Sequence, residues 1–388
     1  MTASNSMHYL ICDVNIKEQG HYIGYNQYIV DNIEKLENKN PRIQYSFLYN
    51  KEADQLLDFP AHVKERVYFL NENGWTSPST ANRIKLFKKI TSFASEHNID
   101  HVILMDLDQY QLPIFLTPGR FKISGVLFRP HHRIKPSNSS FTASLKSKLQ
   151  RFKKIIAEKL LINTKSMDTI FILNDEEGVK LLNQTHNCIK FKYLADPVFS
   201  YPSTISNNSN PTYKFLIFGA INERKNITAI LKAYDLANFN RETELLIVGS
   251  AEEIYIQNIR EIISSLTTVG PKKSISVKAG FVSNNEMDYY FSSCNVCLLI
   301  YKDFYGSSGL LGRASLHKKK VIGANVGLLN ELISKNNLGI TCDPNNIHDI
   351  AKALEEIIEV NIDAACFENF YLSYSPETFI NTLLTPKL

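Results

Sequence analysis

No apolar run in this sequence approaches the roughly 20 consecutive residues that a membrane-spanning helix needs, so a transmembrane protein is not expected. The first residues, MTASNSMHYLICDVN, lack a basic stretch followed by a long apolar one, and no secretion signal is expected. Charge of one sign is scarce as well: 43 Lys and Arg against 39 Asp and Glu leave a formal net charge of +4 over 388 residues. That is too little to mark a nucleic-acid binder, and no nucleic-acid partner is expected. The six cysteines (Cys12, Cys188, Cys294, Cys297, Cys342 and Cys366) are scattered, and four lie in apolar surroundings where a reduced thiol behaves as a small hydrophobe. A cytoplasmic location follows as the expectation. The single CxxC, Cys294 to Cys297, has neither a second pair nor nearby histidines to complete a zinc site and reads as core.

What is present is alternation. Short apolar runs at His8 to Cys12, Ile43 to Tyr49, His101 to Met105, Gly125 to Phe128, Thr169 to Leu173 and Ile189 to Tyr193 are separated by longer amphipathic segments. This pattern predicts buried parallel strands joined by helices. It breaks at DPVFSYPSTISNNSNPT, which is rich in Pro, Ser and Asn and has no apolar periodicity. A second series follows at Lys214 to Phe218, Glu244 to Val248, Ile275 to Ala279, Val296 to Ile300, Lys320 to Gly323 and Gly339 to Thr341. The expected organisation is an N-terminal Rossmann-like domain over 1–198, a linker over 199–212, a second Rossmann-like domain over 213–365 and a C-terminal helical segment, 366–388, returning toward the first. In such open α/β folds ligands sit outside the carboxyl ends of the strands, so two of them facing each other would bind in a cleft.

Within the second series, the strand KFLIFG ends at Gly219 and leads through AINERK into a helix, which places Lys225 at a helix N-terminus. A cation and free backbone N–H groups converge there. After the strand VCLLIY, the turn KDFYGSSGLLGRAS offers Ser307, Ser308 and Gly309 just ahead of another helix. Glycine permits close backbone approach, the hydroxyls donate hydrogen bonds, and the helix dipole favours an anion. Two anion sites in one domain point to a diphosphate.

In order along the chain, FGAINERKN, ELLIVG, VKAGFVSNNEMDYYFSSCNVCLLIY, GSSGLLGRASLHKKKVIGANVGLLNELI and NNLGITCDPNN resemble the C-terminal domain of retaining, family-four-type GT-B glycosyltransferases. The resemblance implies an α/β architecture of two Rossmann-like doubly wound domains facing each other across a cleft. It implies Gly219 and Lys225 at the donor diphosphate, Ser307, Ser308 and Gly309 at the distal phosphate and sugar, and the backbone around Phe281 and Val282 at the nucleotide base. The substrates implied are a UDP- or GDP-linked sugar donor and a saccharide or lipid-linked glycan acceptor. Cation and dipole would stabilise the departing diphosphate, so no metal and no cofactor are expected. Asp106-Leu107-Asp108 has the spacing of a DxD metal motif but reads as a strand-terminal turn. The family carries paired glutamates around the second turn; here Tyr305 and Arg313 stand in those places, and Ala220 stands where an arginine is common. Arg313 is therefore a candidate phosphate ligand. These departures keep a second reading open, a noncatalytic sugar-nucleotide-binding or scaffold subunit.

In the first domain, NIKEQGHYIGYNQYI resembles the family's glycine-containing first loop and puts Gly20 and Tyr25 on the acceptor side. The strand SGVLFRP ends in His131 and His132, either of which is a candidate to position or deprotonate the acceptor hydroxyl. Residues 143–162 spell a basic amphipathic helix, which suits either an anionic membrane at the inner face or packing on its own domain with a solvated basic side.

Overall fold

The computed structural model describes residues 6–17, 22–70, 79–117, 119–128, 130–133, 141–201, 212–266, 272–304 and 306–385. Its contacts divide the chain into two compact units, 1–195 with 376–388, and 196–375. Most of the segment expected as a linker, 202–211, lies outside the described residues.

The first unit is built on seven parallel strands: β1 (Met7–Asp13), β2 (Ile43–Asn50), β3 (Val67–Leu70), β4 (His101–Leu104), β5 (Lys122–Leu127), β6 (Met167–Leu173) and β7 (Phe191–Leu194). Their order is β3-β2-β1-β4-β5-β6-β7, so the winding reverses between β1 and β4, with Ile11 opposite Ile103 in register. Central strands need apolar side chains on both faces, and β4 is accordingly buried at every position. Val67–Leu70 escaped the periodicity reading because it is a four-residue edge strand, half-buried throughout.

The second unit repeats the plan with six parallel strands: β8 (Tyr213–Phe218), β9 (Thr243–Gly249), β10 (Lys273–Ala279), β11 (Val296–Leu299), β12 (Lys320–Ala324) and β13 (Gly339–Cys342), in the order β10-β9-β8-β11-β12-β13. Its reversal falls between β8 and β11. Both units are thus Rossmann-like doubly wound sheets. The helix Ile347–Glu359 buries Ile350, Leu354 and Ile357 at helical spacing against the sheet, and Asn346 caps it by accepting from the N–H groups of His348 and Asp349. Cys294 and Cys297 are both buried, with sulfurs 4.0 Å apart.

The chain returns to the first unit at Pro376, later than the expected 366; the helix Ala364–Ser373 stays with the second unit, where Phe367 and Phe370 are buried. The last helix, Pro376–Leu384, docks through Phe379, whose ring centroid lies 4.8 Å from that of Tyr25, while the Tyr45 hydroxyl donates to the Leu384 carbonyl at 2.7 Å. Tyr25, expected to face an acceptor, is instead 2% exposed. It shares the inward stripe of the helix Tyr22–Lys39 with Ile29, Ile33 and Leu36, a spacing that commits it to the core. Gly20 lies outside the described residues. Because Phe379 is fully buried, Phe379→Ala should cost the first unit about 3–5 kcal/mol, the usual cost of emptying a buried aromatic site. Amide exchange in the helix Tyr22–Lys39 should accelerate while β8–β13 serve as an internal control; unchanged exchange would mean that this segment does not hold the first unit.

Candidate functional site

In the second unit the carboxyl ends of β8 and β11, at the reversal of strand order, carry the residues singled out from the sequence. Gly219 follows β8 with φ +99°, a backbone region that favours glycine. The chain then makes a short 3-10 turn, Glu223–Lys225, and Asn226 at φ 57° starts the helix Ile227–Leu236, its side-chain amide anchored on the Pro344 carbonyl at 2.6 Å. This turn sends Lys225 back over the strand ends. Its Nζ donates to the Phe218 carbonyl at 2.6 Å and to the Tyr301 hydroxyl at 3.1 Å, and lies 4.6 Å from the centre of the Tyr301 ring. Tyr301 Oη in turn lies 3.2 Å from Ser308 Oγ. Having accepted from the ammonium, the phenol has its own proton to donate, so Lys225, Tyr301 and Ser308 form one polarised chain.

Ser308 is the N-cap of the helix Gly309–Leu316, yet its side chain makes no capping bond. The Leu311 N–H donates to the Ser308 carbonyl at 2.9 Å, which leaves the N–H groups of Gly309 and Leu310 for another acceptor, beside a lysine that still has a third N–H. Arg224 adds charge nearby, its guanidinium 5.1 Å from the centre of the Phe304 ring. Ser307 and Ser308 are half-buried and Gly309 exposed, so a ligand can reach them. The arrangement can take an anionic group through a cation, a hydroxyl and a helix N-terminus together.

Arg313 does not join this cluster. The helix that carries it is buried from Leu311 to Ser315, and its Nη1 donates to Asp288 Oδ1 at 2.5 Å inside the unit. Burial opposes ionisation of Asp288, but His317 and Arg313 outweigh it and hold the carboxyl below its ordinary value. A guanidinium paired in this way is a packing element, which corrects the expectation that it meets phosphate. Tyr305 lies outside the described residues. Phe281 is 79% exposed after β10, at the carboxyl side of the sheet, with Val282 half-buried beside it.

In the first unit the turn His131–Arg133 follows β5 and brings both histidines onto buried carboxylates. His131 Nδ1 lies 2.5 Å from Glu158 Oε2, and its backbone N–H donates to Glu158 Oε1 at 3.0 Å. His132 Nε2 lies 2.8 Å from Asp175 Oδ2, and Arg133 donates to both oxygens of the same carboxylate. Asp175 also caps the helix Glu176–His186 through the Gly178 N–H at 2.8 Å. Burial works against its charge, but the bonds from Arg133 and His132 prevail and hold its carboxyl well below the usual range. His131 and His132 are therefore held side chains, each oriented by its own carboxylate. The only group of metal-ligating side chains found among the described residues is here: His131, Glu158 and His186.

Compared with known proteins, residues 212–360 match the family described as "Glycosyl transferases group 1". That match covers most of the second unit and none of the first. No curated protein matches the chain in sequence. Among solved structures, sucrose-phosphate synthase from Thermosynechococcus elongatus superposes with a TM-score of 0.67 at 13% identity, over 97% of this chain and 96% of that one. WaaG, a glycosyltransferase involved in lipopolysaccharide biosynthesis, gives 0.61 at 12% over 97% and 100%. Anabaena Alr3699/HepE in complex with UDP-glucose gives 0.59 at 14% over 97% and 98%. At these identities the likeness is one of fold: two Rossmann-like units of the GT-B type.

The second unit brings Gly219, Lys225 and Ser308 together through Tyr301, which reads in the sequence only as the end of an apolar strand. A polar residue closing such a run is the signal that was available, and Asp13 at the end of β1 gives the same signal in the first unit. Asp13 is 2% exposed; Asn26 Nδ2 donates to its Oδ2 at 2.8 Å, and the neighbouring Asp106 adds like charge. Burial drives its pKa from 3.8 up to about 7, against the opposing bond from Asn26. The folded state then holds this proton more tightly than the unfolded one, so stability from this group is greatest below about pH 4 and falls as pH rises toward 7. Asp13→Asn should thus become progressively more stable relative to the wild type between pH 4 and pH 8 in thermal unfolding; a difference independent of pH would show that Asp13 ionises freely in the folded chain.

Proposed function

We propose that this chain transfers a sugar from a UDP- or GDP-linked donor to a saccharide or lipid-linked glycan. The observation that carries the reading is the joined cluster of Lys225, Tyr301 and Ser308 at the reversal of the second sheet. Positive charge and a helix N-terminus stabilise the negative charge that grows on a departing nucleoside diphosphate, with no metal needed at the phosphates. The family match over 212–360 supports the chemistry, and the Anabaena neighbour with UDP-glucose supports this class of donor. Retention of anomeric configuration would follow a front-face path in which the leaving phosphate assists the incoming hydroxyl. His132, oriented by Asp175, is the residue of the first unit assigned to the acceptor hydroxyl.

Acceptor access through a membrane surface is part of the same proposal. On the helix Phe141–Ile162, Leu149, Phe152 and Ile156 are 52%, 60% and 44% exposed, at positions i, i+3 and i+7 of one face. Lys148, Arg151 and Lys153 are exposed beside them. An apolar stripe flanked by cations suits the interface of an anionic bilayer. Among the described residues no helix is long and apolar enough to cross a membrane.

Thermal unfolding with UDP, GDP, ADP, CMP and dTDP tests the donor, since a ligand bound only by the native state raises the midpoint. One nucleotide should do so, and silence across the panel would sink the reading. Binding without turnover would instead favour the noncatalytic subunit. Lys225→Ala should weaken the effective nucleotide by about 1.5–3 kcal/mol in calorimetry run well below its unfolding midpoint, the scale of a charge-assisted bond. Unaltered affinity would remove Lys225 from the site. For the membrane, Phe152→Glu should abolish cosedimentation with anionic vesicles, and sedimentation indifferent to anionic lipid would count against that contact.

A further inference from the structure

The pair His131 and Glu158 accounts for itself as a buried imidazole–carboxylate bond, but a third side chain beside it does not. His186 ends the helix Glu176–His186, and its side chain is 7% exposed. Its Nε2 is buried with no hydrogen-bond partner and lies 3.9 Å from Glu158 Oε2. An orphaned buried nitrogen is destabilising unless something occupies its lone pair. Phe191, stacked 5.9 Å away between ring centroids, keeps the imidazole in this orientation. Burial holds His186 below its ordinary pKa, with Glu158 opposing, which leaves a neutral ring suited to ligation.

We propose that His131 Nδ1, Glu158 Oε2 and His186 Nε2 hold one divalent ion of the zinc type. The three ligand atoms already lie within 4.8 Å of one another. Zinc bonds to nitrogen and oxygen of about 2.0–2.1 Å require separations of roughly 3.3 Å in a tetrahedron. The 2.5 Å contact of His131 with Glu158 would open and the 3.9 Å gap from His186 to Glu158 would close, each by less than about 1 Å, while the two imidazole nitrogens, within 4.8 Å of each other, would approach by up to about 1.5 Å. Glu158 Oε1 is already engaged by the His131 N–H at 3.0 Å, which aims Oε2 at the ion. Two imidazoles with one carboxylate are a ligand set that suits zinc.

The side chains are 9%, 1% and 7% exposed, so the ion would be a structural clamp. It would tie the turn His131–Arg133 to the helices Phe141–Ile162 and Glu176–His186, and so set the orientation of the neighbouring His132. The clamp is separate from the donor phosphates, which the second unit alone is proposed to hold.

The test uses the full chain, stripped with a chelator and titrated with Zn2+ and with Co2+ as an optical probe. The expected result is one equivalent bound, a raised thermal midpoint and visible cobalt absorption of a site of low coordination number without a thiolate charge-transfer band. His186→Gln should lower Zn2+ affinity by more than ~100-fold, since even a hydrogen-bond partner behind a ligand is worth about 10–100-fold. Glu158→Gln serves as the second variant and should do the same. No uptake by the wild-type chain, a thiolate band placing the ion at Cys294 and Cys297, or wild-type affinity in His186→Gln would each overturn the proposal.

Discussion

A buried ammonium group organises the second unit. Lys225 is only 4% exposed, and a charge so removed from water must be surrounded by acceptors. It finds them at the ends of adjacent strands, the carbonyl of Phe218, the last residue of β8, and the Tyr301 hydroxyl just after β11. Turning the lysine back over those strands requires the 3-10 turn at 223–225, the left-handed Asn226 and the positive φ of Gly219. The Tyr301 proton is then available to Ser308, which ties the turn ahead of the helix Gly309–Leu316 to the turn that carries Lys225. Local backbone conformations that look unrelated in the chain thus serve one requirement, the solvation of a cation by protein.

The first unit solves the opposite problem, buried carboxylates, in separate ways. Asp175 receives a two-pronged guanidinium, an imidazole and a helix N–H, which together outweigh burial and keep it ionised. Glu158 has an imidazole and a backbone N–H. Asp13 has an amide and a distant backbone N–H, neither of them charged, and so rises to about 7. What differs is the compensation, since all three are almost completely buried. Close packing enforces the arrangement: a Cβ on Gly178 would lie 2.3 Å from His132 Nε2 and 2.4 Å from Asp175 Oδ2, so this helix can approach the His132–Asp175 pair only as glycine.

The strands were legible because buried parallel strands write themselves as apolar runs of four to eight residues. Val67–Leu70 was not, because an edge strand needs only partial burial, and Ile189, read as the start of a strand, is 88% exposed while β7 begins at Phe191. Gly219, Lys225 and Ser308 were legible as motifs of the right order. Glu158, Asp175, Asp288 and Tyr301 were not, since each meets its partner across tens of residues, and no local spacing encodes such a pairing. Tyr25 was misread for the related reason that a residue just after a loop can belong to the inward face of the following helix.

That distinction between paired and unpaired charge decides which cation can act on a ligand. Arg313 and Lys225 are both buried, and both were candidates from sequence. Arg313 is neutralised by Asp288 at 2.5 Å, so at a few ångströms its field is that of a dipole, and freeing it would strand a buried carboxylate. Lys225 is solvated only by a carbonyl and a phenol; among the described residues no carboxylate pairs with it. Its full charge therefore reaches the mouth of the strands, in surroundings where water screens it poorly. Under the proposed function, the same burial that costs stability when the site is empty would strengthen attraction for a diphosphate, and the electrostatic work would fall to Lys225 while Arg313 packs.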